Sequence, residues 1–244
     1  MQATDNPATA AVQAQNLNQA LTVDPLVKDI GDSQTEFNLD RTIKDFLTVL
    51  ESKEKRLTFV PPEQFQGTTI FDVSLKNSEK VIALTVDDGP WPETTEEMLD
   101  IFQQNDVKAT FFWIGKSIEN SPEIARRVVA QGHAIGNHTW HHWYDPMDAA
   151  TAASEIDRTA KLIYETTGVK TTFFRPPGGV LNNGLAKYAQ EQNYSVVMWS
   201  VTSADTDPRG QPEAFVDNVL QGAKPGAIVL VHAGGGDRSR TINA

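Results

Sequence analysis

After residue 67 short apolar runs alternate with amphipathic helical stretches, and this alternation is the feature that most restricts the fold. The runs "KVIALTV" (80–86), "ATFFWIG" (109–115), "HAIGN" (133–137), "TTFF" (171–174), "YSVVMWSV" (194–201) and "AIVLVHAGGG" (227–236) have strand length and β-branched or aromatic content. Between them lie helical stretches: 94–106, with Met98, Leu99 and Phe102 on one face, then 121–132, 148–168, 183–193 and 212–223. Repeated β-α units predict a parallel sheet with helices outside it, curled into a barrel. In such barrels the chemistry sits just past the C-terminal ends of the strands.

Residues 1–60 read as an extension. The first 22 are rich in Ala, Gln, Asn and Thr, which predicts disorder or loose helix. From Asp40, a plausible N-cap, Ile43, Phe46, Leu47 and Leu50 recur at helical spacing. "VPPEQFQG" breaks that pattern, and residues 61–244 are expected to form the main domain. The net charge of −11 argues against nucleic acid and anionic membrane surfaces as partners. There are no cysteines, which removes disulfides and thiolate chemistry. No apolar run approaches the roughly 20 residues that span a bilayer. The N-terminus lacks the basic start and apolar middle of a signal peptide, so the chain reads as cytoplasmic or as a mature form.

The strand ends carry the ionisable groups. In order they are Asp87 and Asp88, then His138 to His142, then Arg175, Asp205 and His232. Random surface placement would scatter such residues onto helices as well. Two adjacent carboxylates after a buried strand repel each other unless a cation offsets the repulsion. His138 and His142, four apart, suit two imidazoles on one metal. With one of the two Asp they give a two-His, one-carboxylate set, which leaves coordination positions open, as catalytic sites do. The other Asp is then available as a general base, and His232 as an acid for the leaving group.

Five ordered motifs carry a resemblance: "TVDDGP" (85–90), "HTWHH" (138–142), "RPPGG" (175–179), "WSVTSAD" (199–205) and "LVH" (230–232). The chain resembles the polysaccharide deacetylases with the NodB homology domain, carbohydrate esterase family 4, over about residues 67–244. The resemblance implies a distorted (β/α) barrel. It implies Asp87 as general base and Asp88, His138 and His142 as ligands of a divalent metal, usually Zn²⁺, with Co²⁺ or another divalent ion as alternatives. Arg175 would pair with Asp87, and Asp205 would orient His232, the general acid. Leu230 and Trp199 would line the substrate pocket, and the Gly178 N–H would help hold the oxyanion. His141 falls on a variable position. The implied reaction is removal of N-acetyl groups from an N-acetylglucosamine polymer, peptidoglycan or a chitin-like glycan, outside the cytoplasm. The other readings are an O-deacetylase, a small-amide hydrolase, and a weakly active glycan-binding relative.

The chain departs from the family pattern in places. Gly178 stands where an aromatic is usual, which keeps a backbone donor and removes a packing contact. Thr202 and Thr206 replace an Asp and a Trp of the fourth motif, which removes a wall of the groove. The family continues beyond the fifth motif with a helix and a final strand, whereas this sequence stops at Ala244. The barrel is therefore expected to lack its C-terminal β/α unit, or to fill the gap with part of residues 23–60. Of the remaining candidates, Trp140, Trp143 and Tyr144 suit sugar stacking, with core packing expected for at least one. His133 reads as structural or surface, and Phe111, Phe112 and Trp113 as core. "GGGDR" (234–238) reads as a flexible loop more than an anion cradle, and the acidic residues of 94–106 as a solvated face.

Overall fold

The computed structural model describes residues 58–75 and 80–244; the helix expected from Asp40 lies outside them. Eight parallel strands form one sheet. In chain order they are β2 (Thr69–Ile70), β3 (Ala83–Gly89), β4 (Thr110–Trp113), β5 (Ala134–Asn137), β7 (Phe173–Phe174), β8 (Ser195–Val197), β9 (Val201–Thr202) and β10 (Ile228–His232). Their spatial order is β2-β8-β7-β5-β4-β3-β10-β9. Two further short strands, β1 (Thr58–Phe59) and β6 (Lys170–Thr171), pair in parallel beside it.

The closure of this sheet rests on one segment. Ser195–Val197 pairs with β7 and β2, and four residues later Val201–Thr202 pairs with β10. A single stretch of chain thus passes from one margin of the sheet to the other and curls it into a distorted barrel. The lower part of the seam is taken by residues 69–73: Asp72 bridges to Ala227, and the Val73 N–H donates to Gly226 O at 2.9 Å. Among the described residues the seam is therefore filled from the strand that opens the domain.

The helices are α1 (Thr94–Gln104), α2 (Gly115–Asn120), α3 (Pro122–Ala130), α4 (Ala149–Thr167), α5 (Leu185–Glu191), α6 (Pro212–Gly222) and α7 (Ser239–Ile242). The turn of helix at α2 was not expected from the sequence, whose apolar spacing begins only at residue 121. α4 starts where Asp148 accepts the Thr151 N–H at 2.8 Å and stops at Gly168, whose φ of +75° suits glycine. The strands follow their period of two. Phe111 and Trp113 turn outward to pack with Leu99, Ile118, Val128 and Ile163 beneath the helices. Phe112 turns inward and meets Val197 and Ile228 inside the barrel. All three aromatics are buried, as expected. His133 is buried too, and its Nδ1 accepts the Ala109 N–H at 3.1 Å, which makes it structural. The acidic residues of α1 face solvent.

Candidate active site

The first motif depends on a break in strand regularity. In a continuous strand Asp87 and Asp88 would point to opposite faces of the sheet. The register between β3 and β4 shifts here: Asp87 faces Phe112, and Gly89, not Asp88, faces Trp113. Asp88 is the extra residue of this bulge and sits at φ +71°. The bulge turns the Asp88 carboxylate onto the same side as that of Asp87.

The second motif is a strained loop after β5. Thr139 and His142 both have positive φ, +67° and +64°. Such conformations are costly in non-glycine residues and persist only where the surroundings enforce them. α4 does the enforcing. Buried Glu155 accepts the Trp140 and His141 N–H groups at 3.0 and 2.8 Å with one carboxylate oxygen, and its other oxygen meets His141 Nδ1 at 2.6 Å. Buried Asn137 donates to Ile156 O on the same helix and accepts the Thr139 N–H. Thr139 Oγ1 in turn accepts the His142 N–H at 3.1 Å. The loop thus sends His138 and His142 inward. His141 turns away and stacks on Trp143, with ring centroids 4.2 Å apart. Trp140 is core, whereas Trp143 and Tyr144 are exposed.

Asp88, His138 and His142 come together with their ligand atoms within 4.8 Å of one another. The Asp88 Oδ1 atom lies 3.1 Å from His142 Nε2 and 3.5 Å from His138 Nε2. That oxygen is buried and has no hydrogen bond of proper geometry. His138 Nδ1 lies 2.6 Å from Arg175 O, which can only accept, so the Nδ1 carries hydrogen and the neutral ring turns its Nε2 lone pair toward the carboxylates. A lone pair facing carboxylate oxygens is stable only with a cation, proton or metal, between them. The residues therefore fit a divalent ion of borderline or hard character. The charges express the same demand. Burial alone would raise the Asp88 pKa, but His138 and His142 hold it well below the usual carboxylate range. Burial alone would lower the His138 pKa, yet Asp87 and Asp88 raise it.

The two flanks are wired to neighbouring strands. Arg175, fully buried, donates to Asp87 Oδ1 at 2.7 Å, to Thr85 Oγ1 at 2.9 Å, and to Val197 O and Met198 O at 2.8 and 2.9 Å. One guanidinium thus holds the Asp87 carboxylate and the closing segment, and leaves Asp87 Oδ2 free of it. Burial depresses the Arg175 pKa despite that partner. On the other flank His232 is register partner to Asp87 across the β10–β3 ladder. Its N–H donates to Asp205 Oδ2 and its Nδ1 to Asp205 Oδ1, both at 2.8 Å. Burial alone would lower the His232 pKa; the Asp205 carboxylate outweighs it and raises it, with help from Asp87 and Asp88. Burial likewise opposes ionisation of Asp205, and the His232 hydrogen bond overcomes it and lowers the Asp205 pKa.

Asp87, Asp88, His138, His142 and His232 line a cleft of about 610 Å³, together with Trp91, Tyr144, Gly178, Trp199, Leu230 and Arg238. Thr202 and Thr206 lie on its wall. Arg238 folds the glycine-rich turn back on itself, donating to Gly234 O at 2.7 Å and to Asp205 O at 3.2 Å. A second hollow, about 350 Å³, lies at the opposite ends of the strands and is lined by apolar residues such as Phe65, Ile70, Phe112 and Ile228. Among the described residues it is lined by no titratable side chain, whereas the first cleft gathers the ionisable groups. All ten residues singled out in the sequence therefore line this cleft or hold those that do. Sequence reasoning missed Glu155 and Asn137. The available signal was Glu155 itself, a charged residue on the buried stripe Ala152, Ile156, Thr159 and Ile163 of α4.

Residues 74–197 match the family model described as polysaccharide deacetylase. A peptidoglycan-N-acetylglucosamine deacetylase of Bacillus cereus is 40% identical over 186 residues, which cover 75% of this chain and 86% of that protein. The chain spans only 55% of another B. cereus enzyme of that name and 34% of PgdA from Listeria monocytogenes. Among solved structures, the Bc1960 peptidoglycan N-acetylglucosamine deacetylase, in complex with 4-naphthalen-1-yl-N-oxidanyl-benzamide, superposes with a TM-score of 0.68 at 32% identity, covering 74% of this chain and 83% of that one. BA3943 of Bacillus anthracis, described as a CE4 family pseudoenzyme, gives 0.65 at 27% identity, covering 72% and 60%. Sheet order, ordered motifs and these similarities agree: the chain belongs to the polysaccharide deacetylase family with the NodB homology domain, carbohydrate esterase family 4.

Proposed function

We propose that this protein is a metal-dependent hydrolase that removes N-acetyl groups from an N-acetylglucosamine-containing polysaccharide and releases acetate. The observation that carries the reading is a free carboxylate oxygen on Asp87 and a carboxylate-backed imidazole on His232, facing one cleft from adjacent strands beside Asp88, His138 and His142. Peptidoglycan is the first candidate substrate, because the Bacillus cereus and Listeria relatives named above are described as peptidoglycan deacetylases, and a chitin-like glycan is the second. That substrate places the protein outside the cytoplasm; no helix among the described residues is long and apolar enough to cross a membrane.

Asp88, His138 and His142 would hold the metal, Zn²⁺ in the first instance. When bound, the ion would polarise the acetyl carbonyl and acidify water. The other roles belong to this chain's residues. Asp87 takes a proton from the attacking water through the oxygen that Arg175 leaves free. The Gly178 N–H donates to the developing oxyanion. His232 donates a proton to the departing sugar amine, with Asp205 fixing its tautomer. Leu230 and Trp199 line the space for the acetyl group and its sugar.

One solved relative is described as a pseudoenzyme, so the fold alone does not carry activity. This chain keeps a base, an acid and the partner of each, which favours turnover over binding alone. The test is acetate release from N-acetylglucosamine oligomers and from peptidoglycan, with and without added zinc. Zinc-stimulated release from either supports the reading. Release only from O-acetylated glycans, or none with the metal bound, overturns it.

A further inference from the structure

We propose that Tyr144 is the sugar-facing wall of the cleft, and that residue 178 must be glycine because the Tyr144 ring stands where its side chain would be. The proposal rests on the deacetylase reading and adds a specificity-determining residue to it.

Gly178 has φ +58°, a left-handed conformation. A Cβ built there would lie 2.7 Å from Tyr144 Cε1 and 3.1 Å from Cδ1, closer than real contacts allow. On the other side of the same turn, a Cβ on Gly179 (φ +70°) would lie 2.8 Å from Trp199 Cη2. The two glycines thus pass between two aromatic rings, one sent by the loop after β5 and one by the closing segment. The Tyr144 ring also meets His142 edge to face, with centroids 5.2 Å apart and planes at 86°. Its carbonyl accepts from Asn183 Nδ2 at 3.3 Å, which ties the loop to the segment before α5. Yet Tyr144 is 54% exposed, although it lines the cleft.

An aromatic ring packed against its neighbours and still more than half exposed offers a stacking platform. The C–H face of a pyranose matches it, and a tyrosine loses few rotamers on contact. The packing contact that a side chain at 178 would have made is supplied from another loop. Tyr144 and Gly178 therefore form one unit: the first supplies the wall, and the second yields the room while keeping its N–H at the reacting carbonyl.

The experiment is a double-mutant cycle on the metal-loaded protein with a pentamer of N-acetylglucosamine. Y144A should raise KM roughly three- to tenfold, the range expected for one lost aromatic contact, with a smaller effect on kcat. Y144F should keep KM close to the parent value. G178A should lower kcat/KM sharply in the parent and by a smaller factor in the Y144A background, where only the backbone strain remains. An unchanged KM in Y144A, or the same G178A factor in both backgrounds, overturns the proposal. If the parent protein releases no acetate from the pentamer or from peptidoglycan, the deacetylase reading falls first, and calorimetric binding of the pentamer decides on Tyr144 alone. Weaker binding in Y144A with recovery in Y144F sustains the wall; equal binding in all three refutes it.

Discussion

Glu155 is not among the residues that line the cleft, yet its hydrogen bonds hold the loop that carries both histidines of the candidate metal site. Its carboxylate accepts the backbone N–H groups of Trp140 and His141, two of the three residues between His138 and His142. Glu155→Leu keeps the apolar bulk on α4 and removes both acceptors. Each orphaned buried N–H costs about 1–3 kcal/mol, so the pair would cost up to ~6 kcal/mol. The His141 N–H is half-buried and gains some water, so we expect a loss of about 2–4 kcal/mol, a large share of the 5–15 kcal/mol typical of a domain. Glu155→Gln is the control. Its amide oxygen can take both N–H groups, and its NH₂ can donate to His141 Nδ1 in the other tautomer, so the loss should stay under about 1 kcal/mol. Urea denaturation without metal reads the stability. Zinc competition reads the consequence for the site: a roughly 10- to 100-fold weaker affinity in Glu155→Leu, the usual effect of removing support behind a ligand. Equal midpoints and equal zinc affinities for the two variants would falsify the claim that α4 holds this loop in its strained shape.

Other outcomes follow from the same geometry. Alanine at His138 or His142 should empty the metal site, whereas alanine at His141 should leave occupancy nearly unchanged by elemental analysis after dialysis; equal loss at all three would refute the ligand set. Asp87→Asn should keep metal and lose turnover on the order of 10²–10⁴-fold, as for a general base, whereas Asp88→Asn should weaken metal binding, and reversed outcomes would exchange the roles. A histidine whose pKa is raised in the folded state adds stability that is full below its unfolded pKa of about 6.5 and is lost as pH rises through the folded value. Asp205→Asn should therefore cost more stability at pH 6 than at pH 9, and should move the basic limb of the pH–rate curve to lower pH; an unmoved limb sinks the pairing as the source of that limb. His232→Ala should abolish amide turnover and spare much of the activity on an activated aryl acetate ester, since only the amine needs the proton, and equal loss on both substrates with metal bound would remove His232 from the leaving-group role.

The fold class was legible because the strands are buried on both faces and therefore read as short apolar runs, and because their ends carry the charged motifs. The five strand ends meet as the barrel rule requires, with His232 directly beside Asp87 in the ladder. Boundaries were less legible. "TTFF" divides into β6 and β7, since the Thr172 N–H leaves the main ladder to reach Phe59 O at 3.1 Å. "YSVVMWSV" divides into β8 and β9, because its two halves serve different neighbours. An apolar run looks the same whether it pairs with one strand or changes partners midway, so the closing device of the barrel had no local signal. The neighbours of the seam could not be read from sequence for the same reason: among the described residues those that border it, residues 69–73, are distant in the chain and ordinary in composition.

The parts of the site that pattern could not supply are those set by backbone shape. Two adjacent aspartates read equally well as neighbours pointing apart; only the extra residue at Asp88 brings both carboxylates to one cleft. "HTWHH" names three histidines, and spacing favours the outer two, but it gives no reason for the choice. The reason is Glu155, which draws His141 out of the cleft and pins the amides that send its neighbours inward. Gly178 appeared as a lost contact because a sequence shows what a position lacks and not what moves into the space. The last two features are pairings between an unremarkable residue and a strained one, and strain has no signature in composition. Where a motif residue must sit at positive φ without being glycine, as Thr139 and His142 do here, buried Asn137 and Glu155 hold the loop in that shape. A search of the adjoining helix for a polar residue on its apolar face is therefore the step that would have found Glu155 before the structure did.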